Sequence, residues 1–229
     1  MSEERPLAVV CVSGGMDSAV TAALAGVDHR LAFLHANYGQ RTEAKEQACF
    51  HVLADHYQAE HRLVADLSGL RAIGGSSLTD RAIPVREGDP EPGVIPTSYV
   101  PFRNAHLLAV ATSWGEVIGA RALFVGAVWE DSSGYPDCRP EFYRAYEEAI
   151  RLGTRPTTRL RIVTPVIALK KSEIVRKGRE LAVPFEKTWS CYQAEGEACG
   201  TCESCVLRLR GFAEAGERDP LPYRTLPKL

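Results

Sequence analysis

The chain has 229 residues, 45% of them hydrophobic and 24% charged, with 27 Lys plus Arg against 29 Asp plus Glu and a formal net charge of −2. These proportions are ordinary for a globular protein and exclude collagen, coiled coil and long disorder. A near balance of charge also argues against a protein whose work is to coat a phosphate backbone, which demands a strong basic excess.

Short apolar, β-rich runs alternate with helical patterns, which predicts an α/β fold built on a doubly wound, mainly parallel sheet. Residues 7–12 read as a buried strand, apolar at every position as parallel strands are. A glycine turn follows, and 17–26, rich in Ala and Leu, reads as a helix closed by Gly26. Strand 30–36, helix 42–57 and strand 61–65 continue the alternation. Residues 66–100 lose the period among Gly69, Gly74, Gly75, Gly88 and Gly93, with Pro84, Pro90, Pro92 and Pro96 between them. An irregular stretch of that length inside a compact domain reads as a functional loop. Order returns with helix 104–119, strand 122–128, helix 140–152, strand 159–166 and helix 172–181. No internal repeat interrupts this plan. It divides into an α/β body, 1–188, and a Cys-rich region, 189–229, packed on it.

Seven cysteines are the unusual feature of the composition. Cys11, Cys49 and Cys138 are scattered singly and read as packing residues. Cys191, Cys199, Cys202 and Cys205 form C-x7-C-x2-C-x2-C, with Gly200 to allow a tight turn. The N-terminus is acidic where a signal peptide is basic, and no apolar run approaches the roughly 18 residues that span a bilayer. A cytoplasmic protein with reduced thiols and no membrane association is therefore expected. Four close thiols then suggest a closed, structural Zn²⁺ site, one ion per chain. An iron–sulfur cluster and redox-active thiols are the competing uses of that spacing. The six His show no metal spacing and read as structural or surface residues.

Ser13-Gly-Gly-Met-Asp-Ser18 lies where the first strand passes into the first helix. Glycines allow the turn, N–H groups converge at the helix N-terminus, and Ser13 and Ser18 add hydroxyls, which together make an anion cradle. Asp17 suits an indirect phosphate contact through Mg²⁺, or a helix cap. The spacing is neither that of a Walker loop nor that of a dinucleotide fingerprint. It resembles the pyrophosphatase loop of the adenine-nucleotide α-hydrolase-like, Rossmann-like superfamily, which implies ATP as co-substrate and AMP transfer to a substrate oxygen.

Further motifs sharpen that resemblance. Asn37-Tyr-Gly-Gln-Arg41, Val100-Pro-Phe-Arg-Asn104, Gly134-Tyr-Pro-Asp-Cys-Arg-Pro-Glu-Phe142, Lys187-Thr-Trp-Ser-Cys-Tyr192 and the Cys199 to Cys205 run are similar to the 7-cyano-7-deazaguanine synthases of queuosine precursor biosynthesis. Phe102, where that family more often has a small residue, and Thr42, where a His commonly follows the Arg, depart from the pattern. The resemblance implies that 7-carboxy-7-deazaguanine and ammonia become the nitrile through adenylated intermediates. Ammonia would come from solution or a partner, and the enzyme would be a homodimer with no nucleic-acid partner. Val12, Ser13, Gly14, Gly15, Met16, Asp17 and Ser18 are then expected at the pyrophosphate, with Mg²⁺. Arg103 is expected to neutralise phosphate, Asp131 and Asp137 to meet the N–H edge of the deazaguanine, and Arg139 its carboxylate. Tyr38 and Tyr135 are candidates to stack on a purine. Surface arginine, helix caps and buried aromatics are the ordinary roles of the same residues. Two other functions fit parts of the pattern: a tRNA-modifying thiolase, which the charge disfavours, and a non-catalytic, zinc-stabilised nucleotide-binding module.

Overall fold

Five strands, Leu7–Cys11 (β1), Arg30–Asn37 (β2), His61–Asp66 (β3), Ala122–Val125 (β4) and Arg161–Val163 (β5), pair in the order β3-β2-β1-β4-β5 in a computed structural model. The structure describes residues 5–91, 93–129 and 134–227. Every pairing is parallel, as the alternating pattern predicts. Central β1 has no exposed face. Ala8 and Val10 point to one side with Phe33, Phe50, Ile174, Phe185 and Phe212, and Val9 and Cys11 to the other with Leu34, Leu108, Tyr143 and Ile150. That period of two explains why the strand is apolar throughout.

The helices are Met16–Gly26 (α1), Glu43–His56 (α2), Gly69–Ile73 (α3), Arg103–Ile118 (α4), Pro140–Gly153 (α5), Lys171–Glu180 (α6) and Glu203–Glu214 (α7). Because β2 and β3 lie on one side of β1 and β4 and β5 on the other, the chain reverses direction across the sheet between β1 and β4. Open α/β sheets bind ligands beyond the carboxyl ends of their strands at such a reversal. Among the described residues, no helix is long and apolar enough to cross a membrane.

Two strands are shorter than the pattern predicts. β4 ends at Val125 because the next position, Gly126, passes so close to α1 that a Cβ there would stand 3.0 Å from the Asp17 carbonyl. β5 keeps three residues of the expected run. The irregular 66–100 stretch contains one short helix, α3, and is otherwise stitched down by side chains. Arg41 donates to the carbonyls of Ser77 (2.6 Å), Asp80 (3.1 Å) and Ile83 (2.7 Å). At its far end Glu87 pairs with Cys202 in an antiparallel bridge, and the Gly88 N–H donates to Thr201 O.

A buried ion pair holds the C-terminal region together, and its arginine also bonds residues of the body. Arg208, 1% exposed, makes two hydrogen bonds to the Asp219 carboxylate (2.7 and 3.0 Å) and others to Thr188 Oγ1, Ser190 Oγ and Phe185 O.

Candidate active site

The phosphate loop leaves β1 with the Val12 N–H bonded to Leu34 O and enters α1 through Gly15. Gly14 has φ +87°, and a Cβ there would lie 2.7 Å from the carbonyl oxygen of Glu46, so only glycine fits. Its carbonyl accepts the Trp189 N–H at 2.8 Å, which ties the loop to the cysteine-rich region. No side chain caps α1, so its first N–H groups stay open to an anion. The Ser18 hydroxyl bonds Gly15 O at 2.8 Å and lies 3.3 Å from that of Ser13, which sets both hydroxyls on the loop.

Asp17 faces Lys171 at the start of α6, with Nζ 2.6 Å from Oδ2. Its other oxygen is buried without a hydrogen-bond partner among the described residues. A spare carboxylate oxygen beside a phosphate cradle suits a divalent cation that bridges phosphate oxygens.

A cavity of about 250 Å³ opens from this loop across the carboxyl ends of β1, β2 and β4. On the wall away from the loop, Arg103 donates to Tyr38 Oη at 3.1 Å and lies over the rings of Tyr38 and Tyr135. Tyr135 Oη bonds Ser98 Oγ at 2.9 Å and approaches the Tyr192 hydroxyl at 3.5 Å. Burial pushes all three phenols up, so they are neutral partners rather than charges. Cys11 and Cys138 also line the cavity, and burial pushes their thiols up to about 12 and about 11. Neither is a thiolate at neutral pH, so neither is a nucleophile there. His35, another lining residue, is held neutral by burial and donates through Nδ1 to Val12 O at 2.9 Å. It braces the strand that carries the loop.

Three expected residues stand differently. Asp137 is buried and not among the lining residues. Its carboxylate accepts the Asn104 N–H at 2.9 Å while Asn104 Nδ2 returns a bond to its carbonyl. It therefore caps α4 from across the chain, immediately beside Arg103, and burial raises its carboxyl above the usual range. Arg139 is exposed, 5.7 Å from the centre of the Trp129 ring, and also outside the cavity wall. Asp131 lies outside the described residues. The two atypical positions have local explanations. Phe102 precedes α4 in the left-handed region (φ 58°), where a small residue is less strained, and Thr42 bonds the Glu46 carboxylate at 2.7 Å.

The four clustered cysteines converge, their sulfurs all within 4.8 Å of one another and none in a disulfide. Tetrahedral ligands about 2.3 Å from zinc stand about 3.8 Å apart, and Cys199 Sγ lies 3.8 Å from Cys205 Sγ. Backbone N–H groups of Gln193 and Cys199 point at Cys191 Sγ, and those of Thr201 and Cys202 at Cys199 Sγ, which favours thiolates. The donor set fits zinc. Four thiolates leave no open position, so the site is a clasp. It holds 189–192, whose Trp189, Ser190 and Tyr192 form one side of the cavity.

Residues 7–216 match the family described as "Queuosine biosynthesis protein QueC". The chain belongs to the QueC family. QueC relatives include the 7-cyano-7-deazaguanine synthase of Chloroherpeton thalassium, 58% identical over 96% of this chain and 98% of that one. That of Chlorobium phaeobacteroides is 57% identical over the same shares. Among solved structures, NMN synthetase from Francisella tularensis is 16% identical, with a TM-score of 0.46 over 80% of this chain and 63% of that chain.

Within this QueC cavity, sequence reading missed Lys171, Glu46, Tyr192 and Arg208. Lys171 carried a usable signal, because it opens the helix after the last strand, at the carboxyl edge where α/β ligands sit. Glu46 carried none, being one charge among several on a helix, whereas Arg208 lies in a stretch, Leu207-Arg208, that the family resemblance covers.

Proposed function

We propose that this chain makes 7-cyano-7-deazaguanine from 7-carboxy-7-deazaguanine, ammonia and two ATP. The observation that carries this reading is the open phosphate loop, with Lys171 and Asp17 beside it, facing the cavity that Arg103, Tyr38 and Tyr135 enclose. Membership of QueC supports the choice of substrate.

A carboxylate is a poor electrophile because neither oxygen is a leaving group. The loop N–H groups, Ser13, Ser18 and Lys171 hold the pyrophosphate end of ATP, and Asp17 would hold Mg²⁺, which would supply charge neutralisation for the leaving pyrophosphate. With one oxygen bonded to AMP, the carbon accepts ammonia and gives the amide. Adenylation of the amide oxygen then lets AMP leave again as the nitrile forms. Both rounds need the same groups, which is consistent with one loop and one cavity. Arg103 orients the substrate's carboxylate, and Asp137 acts through it by fixing the first turn of α4. Arg139 belongs to the cavity's approach, and Asp131 keeps its proposed part at the N–H edge of the deazaguanine.

The neutral cavity thiols weigh against a thiolase, which requires a nucleophilic sulfur. Residues 189–229 serve as a zinc-binding region packed on an ATP-handling body, 1–188. Reduced thiols support a cytoplasmic setting, and the family resemblance supports a homodimer. Incubation with substrate, ATP, Mg²⁺ and ammonium should give the nitrile mass with AMP and pyrophosphate. Release of ADP, or no nitrile, overturns the proposal.

A further inference from the structure

One carboxylate in the cavity has no part in the scheme above. The first turn of α2 carries Glu46 between the back of the phosphate loop, where its carbonyl crowds Gly14, and the cavity, which its side chain lines. Its oxygens have one neutral partner each. Thr42 Oγ1 donates to Oε1 at 2.7 Å and Gln40 Nε2 donates to Oε2 at 3.1 Å. A hydroxyl and an amide fix the carboxylate's orientation and leave each oxygen a lone pair.

Other cavity groups are poorly placed to take a proton. Asp17 is paired with Lys171, His35 is tied to Val12 O and held neutral by burial, and the phenols and thiols hold their own protons. Burial pushes the Glu46 carboxyl up to about 7, against the pull of its two donors and of Arg103. Glu43 on the same helix raises it slightly, while Tyr38 and Cys49 are its other ionisable neighbours. The turn Phe185–Lys187, also packed on α2, brings Glu186 and Lys187.

We propose that Glu46 is the general base of both nitrogen steps, an inference that rests on the synthase reading above. When ammonia attacks the adenylated carboxylate, a C–N bond forms and the C–O bond to AMP breaks. Nitrogen arrives with three hydrogens and the amide keeps two, so one proton passes to Glu46. In the second round the amide oxygen bonds to AMP, the C–O bond breaks as the nitrile forms, and the nitrogen gives up its last two protons. Glu46 takes each and returns it to water. No electron changes hands, and no further reactant is needed.

The test separates adenylation from proton transfer. Without ammonium, single-turnover release of pyrophosphate reports adenylation alone. Glu46→Gln should keep that release within about threefold and slow amide formation about 10²–10⁴-fold, the usual worth of a general base. The wild-type rate should fall on the acid side of a limb near pH 7. Glu46→Gln should lack that limb, and Glu46→Asp should retain one at reduced rate. Amide formation by Glu46→Gln at the wild-type rate, or equal loss of pyrophosphate release with the limb intact, overturns the assignment. No pyrophosphate release by wild type instead overturns the synthase reading. Titration of ¹³C-labelled carboxyls in the unliganded protein reads Glu46 independently of turnover. A midpoint near 7 supports it, and a midpoint in the ordinary glutamate range overturns it.

Discussion

Asp219→Asn should be among the most destabilising single changes in this protein that leave shape almost untouched. Arg208 is 1% exposed and Asp219 8%, and their two-point contact is supported by Tyr223 Oη (2.7 Å) and the Leu221 N–H (3.2 Å) on the same carboxylate. Asn keeps the volume but turns one accepting oxygen into an NH2 donor and removes the charge, so the guanidinium is left buried without its counter-ion. Breaking a buried pair from one side costs about 3–5 kcal/mol. In a chain of this size that amounts to a fall in Tm of about 6–20 °C, at about 2–4 °C per kcal/mol. Urea unfolding of the zinc-loaded protein, followed by circular dichroism, measures the change. The double variant Arg208→Met, Asp219→Leu should lose much less than the sum of the single changes, because both charges leave together. Nucleotide binding should weaken in Asp219→Asn as well, since Arg208 also holds Ser190, which lines the cavity. A cost below about 1 kcal/mol would refute the view that this pair holds the C-terminal region in place.

Other consequences concern the loop and the metal. Lys171→Met should weaken ATP binding about 10–100-fold, the value of roughly 1.5–3 kcal/mol for a charge-assisted hydrogen bond, and should lower melting as well because Asp17 loses its counter-ion; calorimetric titration checks the binding. Gly14→Ala should abolish nucleotide binding, because its Cβ meets the Glu46 carbonyl at 2.7 Å, whereas Gly93→Ala, with φ +77° and nothing within 4 Å, should cost only about 1–2 kcal/mol of backbone strain. Metal analysis should find one zinc per chain. Chelation should expose the four clustered thiols to alkylation and weaken ATP binding, because the clasp holds the segment whose Trp189 N–H braces Gly14.

What the sequence revealed, and what it hid, follows the distance over which each feature is encoded. The Ser13–Ser18 loop and the cysteine cluster are local, so spacing alone located them, and the apolar strands around β1 were legible because burial on both faces leaves no polar position. Lys171 reaches Asp17 across 154 residues, a pairing only the crossover topology creates. Asp137 stands outside the cavity lining because its carboxylate accepts the Asn104 N–H in the first turn of α4, a contact made across 33 residues that spacing does not reveal. Helix α3 is too short to show a period, and Arg41 holds the surrounding loop through backbone carbonyls that residue identity does not reveal.

The proposed synthase reaction requires one cavity to adenylate, in turn, both oxygens of one substrate carboxylate. Substrate carrying ¹⁸O in both carboxylate oxygens tests it most directly. For every nitrile formed, two AMP should each carry one ¹⁸O, with none in pyrophosphate. Label released to water or phosphate, or nitrile formed with unlabelled AMP, would contradict the account.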